Sequence, residues 1–164
     1  MRLETKHFGE IDIDENKIIL FEEGLPGFRH LTRFALFFDE EEFENADDTA
    51  ANTESVFLWL QSLDDGDTAF VLLNTFMFMP DYAPKLEEGA LDSLGECEPD
   101  ELIIRNIAVV PDKLEDMTVN LCAPVIINSI TQKGKQTLAT NKEYHVKHRI
   151  IQEARAAREA REAI

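Results

Sequence analysis

Seven apolar runs of four to eight residues, each closed off by turn-forming residues, fix the class of fold open to this 164-residue chain. They fall at residues 18–21, 34–38, 56–60, 70–73, 76–79, 103–110 and 125–130 and are rich in Val, Ile and Phe. Runs this short do not make core helices, but they match the length of a buried strand. Residues 117–123 alternate, with Val119, Leu121 and Ala123 on one face and Thr118, Asn120 and Cys122 on the other, as a half-buried antiparallel strand does. Asp64-Asp65-Gly66-Asp67 lies between two of the runs and reads as a hairpin turn, because Asp and Gly tolerate the positive φ such turns require. Most runs have no helix-length crossover between them. The expectation is an all-β, mainly antiparallel domain, a small β-barrel or a sandwich, rather than a parallel α/β sheet.

Helical signal is sparse. Leu86, Ala90, Leu91 and Leu94 recur at helical spacing, predicting one short internal helix over 84–94. From Asn141, a candidate N-cap, the chain holds no Gly or Pro and carries a thin stripe of Val146, Ile150, Ala154, Ala157 and Ile164. This predicts a C-terminal helix whose turns beyond Gln152 are solvated or fraying. The organisation read from this is a β domain over 1–150 and a helical extension over 151–164. Residues 39–54 hold eight acidic side chains and only Phe43 as an apolar anchor, so they are expected to form a mobile, exposed loop.

Charge narrows the partners. Of 33 acidic residues, 29 fall in residues 1–132 beside 8 Lys and Arg, a formal charge of −21; residues 133–164 carry +4. Nucleic-acid binding relies on Lys and Arg displacing counterions from phosphates, and a body this anionic repels them. A cationic partner is expected instead. The two cysteines, Cys97 and Cys122, are expected to be unpaired, which fits a reducing compartment. No signal-peptide core and no bilayer-length apolar run is visible, so the expectation is a cytoplasmic protein without membrane contact and monomeric when alone.

Site chemistry is mostly excluded. His145 and His148 are three residues apart but have no further Cys or His nearby to complete a metal shell. Asp64, Asp65 and Asp67 resemble the start of a calcium loop, yet Thr68 and Phe70 break the run of oxygen ligands and no bidentate Glu closes it. No nucleophile elbow, activated thiol or phosphate-cradling glycine loop occurs. No cofactor, metal or catalytic residue is assigned, and the chain is not read as an enzyme. The unusual segment is 74–82, Asn-Thr-Phe-Met-Phe-Met-Pro-Asp-Tyr. As a strand it has Phe76 and Phe78 on one side and Met77 and Met79 on the other, with Pro80 placing its end at an edge or rim. Either it is a core strand covered on both faces, or it is an exposed aromatic and Met surface of the adaptable kind that grips apolar helices.

Four segments in order carry a resemblance that composition cannot. These are Phe21-Glu-Glu-Gly-Leu-Pro-Gly-Phe28, Leu60-Gln-Ser62 leading through the acidic turn to Phe70 and Tyr82, Val119-Asn-Leu-Cys-Ala-Pro-Val-Ile-Ile-Asn128, and Gly134-Lys-Gln136. Thr5-Lys6-His7-Phe8-Gly9 and residues 144–150 fit the same pattern. Together they resemble the bacterial flagellar assembly factor FliW family across nearly all of residues 2–150. Residues 39–54 exceed the family's usual connection, and the tail after about Ile151 runs past its common end.

The resemblance implies a β-barrel-like partner switch. Such a protein binds flagellin and, alternatively, the dimeric RNA-binding regulator CsrA, and so relieves CsrA repression of flagellin translation. Charge complementarity nominates Glu22, Glu23, Asp64, Asp65 and Asp67 for the CsrA contact. Amphipathic flagellin helices suit an apolar surface, which nominates Phe76, Phe78, Met79 and Tyr82. Pro124 and Asn128 are read as architectural. The rival readings are a dedicated flagellin chaperone without CsrA, and a β-barrel that binds a small ligand in its interior.

Overall fold

The computed structural model describes residues 1–38 and 55–162, so the expected loop at 39–54 lies outside the described residues. Among the described residues the strands are β1 (Arg2–Thr5), β2 (Gly9–Asp12), β3 (Ile19–Leu20), β4 (Arg33–Phe38), β5 (Phe57–Ser62), β6 (Ala69–Leu73), β7 (Leu102–Val109), β8 (Thr118–Val119), β9 (Val125–Asn128), β10 (Lys133–Gln136) and β11 (His148–Arg149), followed by the α-helix α1 (Ile150–Glu162). β3 to β7 follow one another antiparallel, apart from β3, whose other neighbour is β10 in parallel register, Lys133 opposite Leu20. β10 pairs with β9, and β9 returns to the first half of β7, so seven strands close into a barrel. The second half of β7 carries β8, which pairs with β11. β1 and β2 form a separate hairpin.

Apolar side chains point to both faces of β4 to β7 because the barrel wall there is covered on its inside and over part of its outside. Its interior holds Phe21, Phe34, Leu58, Leu60, Leu72 and Ile127, all but shut off from solvent. The side chains that alternate outward from β6, β7 and β8, namely Leu73, Ala108 and Val119, join Met117, Leu121, Tyr82 and Ile150 in a second cluster on the outer face. A third, smaller cluster of Ile13, Ala35 and Leu63 lies where the β1–β2 hairpin covers β4 and β5, with Leu3, Ile11 and Phe37 packed at its edge. Truncating an interior residue such as Leu60 to Ala would cost about 2–5 kcal/mol, the usual range for a buried Leu.

Two helix expectations are corrected. Over 84–94 the structure has only a single turn of 3-10 helix, Asp92–Leu94; Gly89 sits at φ +79, which ends any right-handed helix there. The C-terminal helix begins at Ile150 rather than after Asn141. Asn141 caps nothing: its Oδ1 accepts from the Lys85 N–H at 2.7 Å and its Nδ2 donates to the Ala83 carbonyl at 3.1 Å. The preceding stretch is tied to the barrel by the His145 carbonyl, which accepts from the Leu121 N–H at 3.0 Å. The helix remains regular to Glu162, and from Arg155 on its residues are exposed.

Candidate functional site

The acidic turn between β5 and β6 is built by its own side chains. The Ser62 hydroxyl accepts from the backbone N–H groups of Asp64 and Asp65 at 3.2 and 3.0 Å. The Asp64 carboxylate accepts from the Thr32 and Arg33 backbone N–H groups at 2.9 and 3.0 Å and from Arg33 Nε at 2.9 Å, with Arg33 Nη2 also at 2.9 Å. Partial burial pushes the Asp64 carboxyl up, but those donors outweigh it and hold it below the usual carboxylate range. Asp65 accepts from the Thr68 hydroxyl at 2.8 Å and the Asp67 N–H at 3.0 Å, and these bonds lower its pKa too. Asp67 is exposed, and among the described residues its carboxylate has no partner.

Gly66 serves a purpose other than the one expected from sequence. Its φ is not in the left-handed region. A Cβ there would instead lie 2.1 Å from the Glu4 carbonyl oxygen, so Gly66 is required by the close approach of β1.

Glu22 and Glu23 sit in the loop between β3 and β4, both exposed, with Glu22 paired to Lys133 Nζ at 2.9 Å. Within that loop Gly24 needs its left-handed φ of +64, and a Cβ would meet the Arg29 backbone at 2.6 Å. Leu20 pairs with Arg33, whose N–H and guanidinium hold Asp64. The fold therefore brings all five nominated acids to one end of the barrel. Glu22, Glu23, Asp64 and Asp67 are exposed residues and Asp65 is half-buried, but the Asp64 and Asp65 carboxylates are engaged in building the turn.

The segment 74–82 is not the strand expected. Thr75–Met77 form a turn of 3-10 helix, and the N–H groups of Phe78 and Met79 both return to the Thr75 carbonyl, at 3.0 and 2.8 Å. This twists Phe76 (37% exposed) and Met77 (55% exposed) outward, while Phe78 and Met79 pack half-buried on the second cluster. Tyr82 lies beneath them, 3% exposed. Its hydroxyl donates to the Leu121 carbonyl at 2.6 Å and accepts from Asn106 Nδ2 at 3.0 Å. Asn106 in turn donates to the Asn120 carbonyl at 2.8 Å and accepts from the Thr75 hydroxyl at 2.5 Å. Burial pushes the Tyr82 pKa up to about 12. Tyr82 thus supports the patch from below. Met77 and Thr75 lie in the segment that the sequence singles out but are not among its nominated contact residues, and Asn106 is not picked out at all; the polar pair Arg105-Asn106 inside an apolar run was the one available signal.

His145 and His148 stack with ring centroids 5.3 Å apart, but the His148 ring already accepts from the His145 N–H at 2.7 Å and contacts Glu153 at 2.9 Å. Among the described residues no group of three or more His, Cys, Asp or Glu is placed to hold a metal, and no helix is long and apolar enough to cross a membrane. Asn128 is buried, donating to the Leu94 carbonyl at 3.0 Å and accepting from the N–H groups of Ile130 and Thr131 at 2.9 and 3.1 Å.

Comparison with known proteins agrees with this architecture. The sequence model of the family described as FliW protein matches residues 2–150. A flagellar assembly factor FliW from Caldanaerobacter subterraneus subsp. tengcongensis is 40% identical over 157 residues, 96% of this chain and 97% of the relative. One from Thermotoga neapolitana is 38% identical over 151 residues, covering 92% and 93% respectively. A solved structure described as the crystal structure of the flagellar assembly factor FliW superposes with a TM-score of 0.77 at 33% identity, over 92% of this chain and 96% of that one. Near-complete coverage in both directions, the matched barrel and the four ordered segments place this chain in the FliW family of flagellar assembly factors.

Proposed function

We propose that this chain is a cytoplasmic, non-enzymatic partner switch that binds flagellin and, alternatively, the CsrA dimer, and so antagonises CsrA repression of flagellin translation. The observation that carries the reading is the acidic end of the barrel. Glu22, Glu23 and Asp67 present unshielded or half-shielded carboxylates on a body whose formal charge over residues 1–132 is −21. A basic RNA-binding partner is drawn to such a surface, and RNA phosphates beside it are repelled. Flagellin helices are assigned to the patch of Phe76, Phe78 and Met79, with the exposed Met77 added and Tyr82 beneath. Met and aromatic side chains adapt to an apolar helix face without a preformed groove. No cofactor, membrane or nucleic acid enters the mechanism.

An interior small-ligand site is disfavoured by the packing, since Phe21, Phe34, Leu60 and Leu72 occupy the barrel lumen. The test is a calorimetric titration with purified CsrA and with flagellin, each repeated with the other present. Binding of both, with each weakening the other, is the expected result. Flagellin binding without CsrA binding would reduce the protein to a flagellin chaperone.

A further inference from the structure

We propose that the buried Thr75–Asn106–Tyr82 hydrogen-bond network is the positioning element of the flagellin surface. It holds residues 74–79 as the turn that carries Phe76 and Met77 outward, and so sets how tightly an apolar helix is bound there. The proposal rests on reading that patch as the flagellin surface, and it gives Thr75 and Asn106 a part in recognition although neither reaches the partner.

A turn is not what this stretch of sequence favours. Residues 76–79 are an unbroken apolar run, and β6 leads almost directly into them. β6 pairs with β7 through Val71, Leu72 and Leu73, which lie opposite Ala108, Ile107 and Asn106. Continued in that register, Asn74 would lie opposite Arg105 and Met77 opposite Leu102. Among the described residues no strand occupies that edge of Leu102–Arg105, since β9 pairs with them along the other. Nor does the turn hold itself. Asn74 stands at its cap position but makes no side-chain capping bond, and three residues of 3-10 helix have little stability of their own.

What fixes the turn is a set of side chains whose donors and acceptors fit together in one way. The Asn120 and Leu121 carbonyls can only accept. The first therefore takes one proton of the Asn106 amide at 2.8 Å, and the second takes the Tyr82 hydroxyl proton at 2.6 Å. With that proton committed, the Tyr82 oxygen accepts the other Asn106 amide proton at 3.0 Å. The Asn106 amide oxygen is left facing Thr75, whose hydroxyl must donate to it, at 2.5 Å. Thr75 and Asn106 are fully buried and Tyr82 nearly so, so solvent does not stand in for a missing member. Thr75 also accepts from the Phe78 and Met79 N–H groups through its carbonyl. One residue thus joins the turn to β7 and, through Asn106 and Tyr82, to the link between β8 and β9. Phe76 and Met77 follow Thr75 directly, and their outward placement depends on where Thr75 is pinned.

Thr75→Val keeps the shape and removes the donor, whereas Thr75→Ser keeps the donor. Both, with Tyr82→Phe and the wild-type full chain, would be titrated with purified flagellin and separately with purified CsrA, at a temperature where each is folded, and amide exchange would be followed in parallel. Thr75→Val and Tyr82→Phe are expected to bind flagellin at least about tenfold more weakly, the ratio that ~1.4 kcal/mol produces, with CsrA binding unchanged. Thr75→Ser is expected to bind flagellin as the wild type does. In Thr75→Val the amides of Phe78 and Met79 should exchange faster while those of β4 to β7 do not. A network that only stabilises the fold would lower the melting temperature and leave the flagellin affinity of the folded protein as it was; that result overturns the proposal. Thr75→Ser binding as weakly as Thr75→Val overturns it too. Were Thr75→Val unable to fold, Tyr82→Phe reads the same network. Flagellin failing to bind the wild type would bring down the proposed function, and exchange at Phe78 and Met79 would then decide whether the network holds the turn, an unchanged rate in Thr75→Val overturning that as well.

Discussion

At Asp64 a carboxylate that sequence offers as surface charge accepts three hydrogen bonds and an ion pair, which join the β5–β6 turn to the start of β4. Asp64→Asn is expected to lose about 1.5–3 kcal/mol of stability at neutral pH, the range for bonds to an ionised acceptor. Its folded pKa lies below the ordinary carboxylate value, so its contribution is fully present above about 3.9, the unfolded value, and is lost as pH falls through the lower folded one. Urea unfolding at pH 7 and again in acid should show the gap between wild type and variant closing; a gap independent of pH contradicts the clamp. Tyr82 has the opposite sign. Its pKa is raised to about 12 by burial, so the protonated form is the stabilising one, and its contribution is present below about 10 and lost as pH rises through the folded value. Tyr82→Phe leaves the Leu121 carbonyl without its donor and should cost about 1–3 kcal/mol near neutrality. It should also remove one step of the alkaline unfolding, and an identical alkaline profile in the variant would contradict this. These two residues also show what sequence hides. Asp64 and Asp67 are the same residue type three apart, and only the Thr32 and Arg33 donors, folded in from a different strand, separate a structural carboxylate from a free one.

The elements fall into those specified locally and those specified by contact. β4, β5, β6, β7 and β9 were legible because each is an apolar run with β-branched or aromatic residues. β10, Lys-Gly-Lys-Gln, carries no apolar signal, yet it closes the barrel between β9 and β3; its strand character comes from its neighbours. β1 and β2 were missed for the same reason, and the 76–79 run was misread as a strand because Thr75 redirects its backbone bonds into a turn. Of the candidate site, the acidic end was legible as a set of residue types, but which acids are free was not. The consequence is a prediction for the surfaces. Charge reversal at Glu23 and Asp67 is expected to slow CsrA association and flatten its salt dependence while shifting barrel stability by no more than about 0.5 kcal/mol. Stopped-flow rates across a salt series check this, and an unchanged slope removes the acidic end from the interface. Phe76→Ala with Met77→Ala should weaken flagellin binding by at least about 1 kcal/mol, as an interface anchor does, again with little effect on the melt. Unaltered flagellin affinity would assign that partner elsewhere.

On the scale of the whole molecule, one barrel carries two outer layers, the β1–β2 hairpin over β4 and β5 and the 74–82 segment with α1 over β6 to β8. The acidic end and the apolar patch are attached to different parts of this frame, so the two partners proposed for them need not touch the same side chains. The helix is joined to the body near its start, by Ile150 in the second cluster, by Gln152 donating to the Glu115 carbonyl at 3.3 Å and by Arg155 pairing with Glu115 at 3.5 Å. Exposed pairs of this kind contribute at most about 1 kcal/mol, so deleting residues 152–164 should leave the barrel folded. If the basic tail masks a partner surface, the same deletion raises one of the two affinities; no change in either rules masking out. The central claim is the switch, and it is tested most directly by titrating this protein into CsrA preloaded with flagellin leader RNA and reading RNA release before and after flagellin is added. Release that flagellin reverses is the predicted result, whereas RNA that stays bound to CsrA at saturating protein would contradict the account.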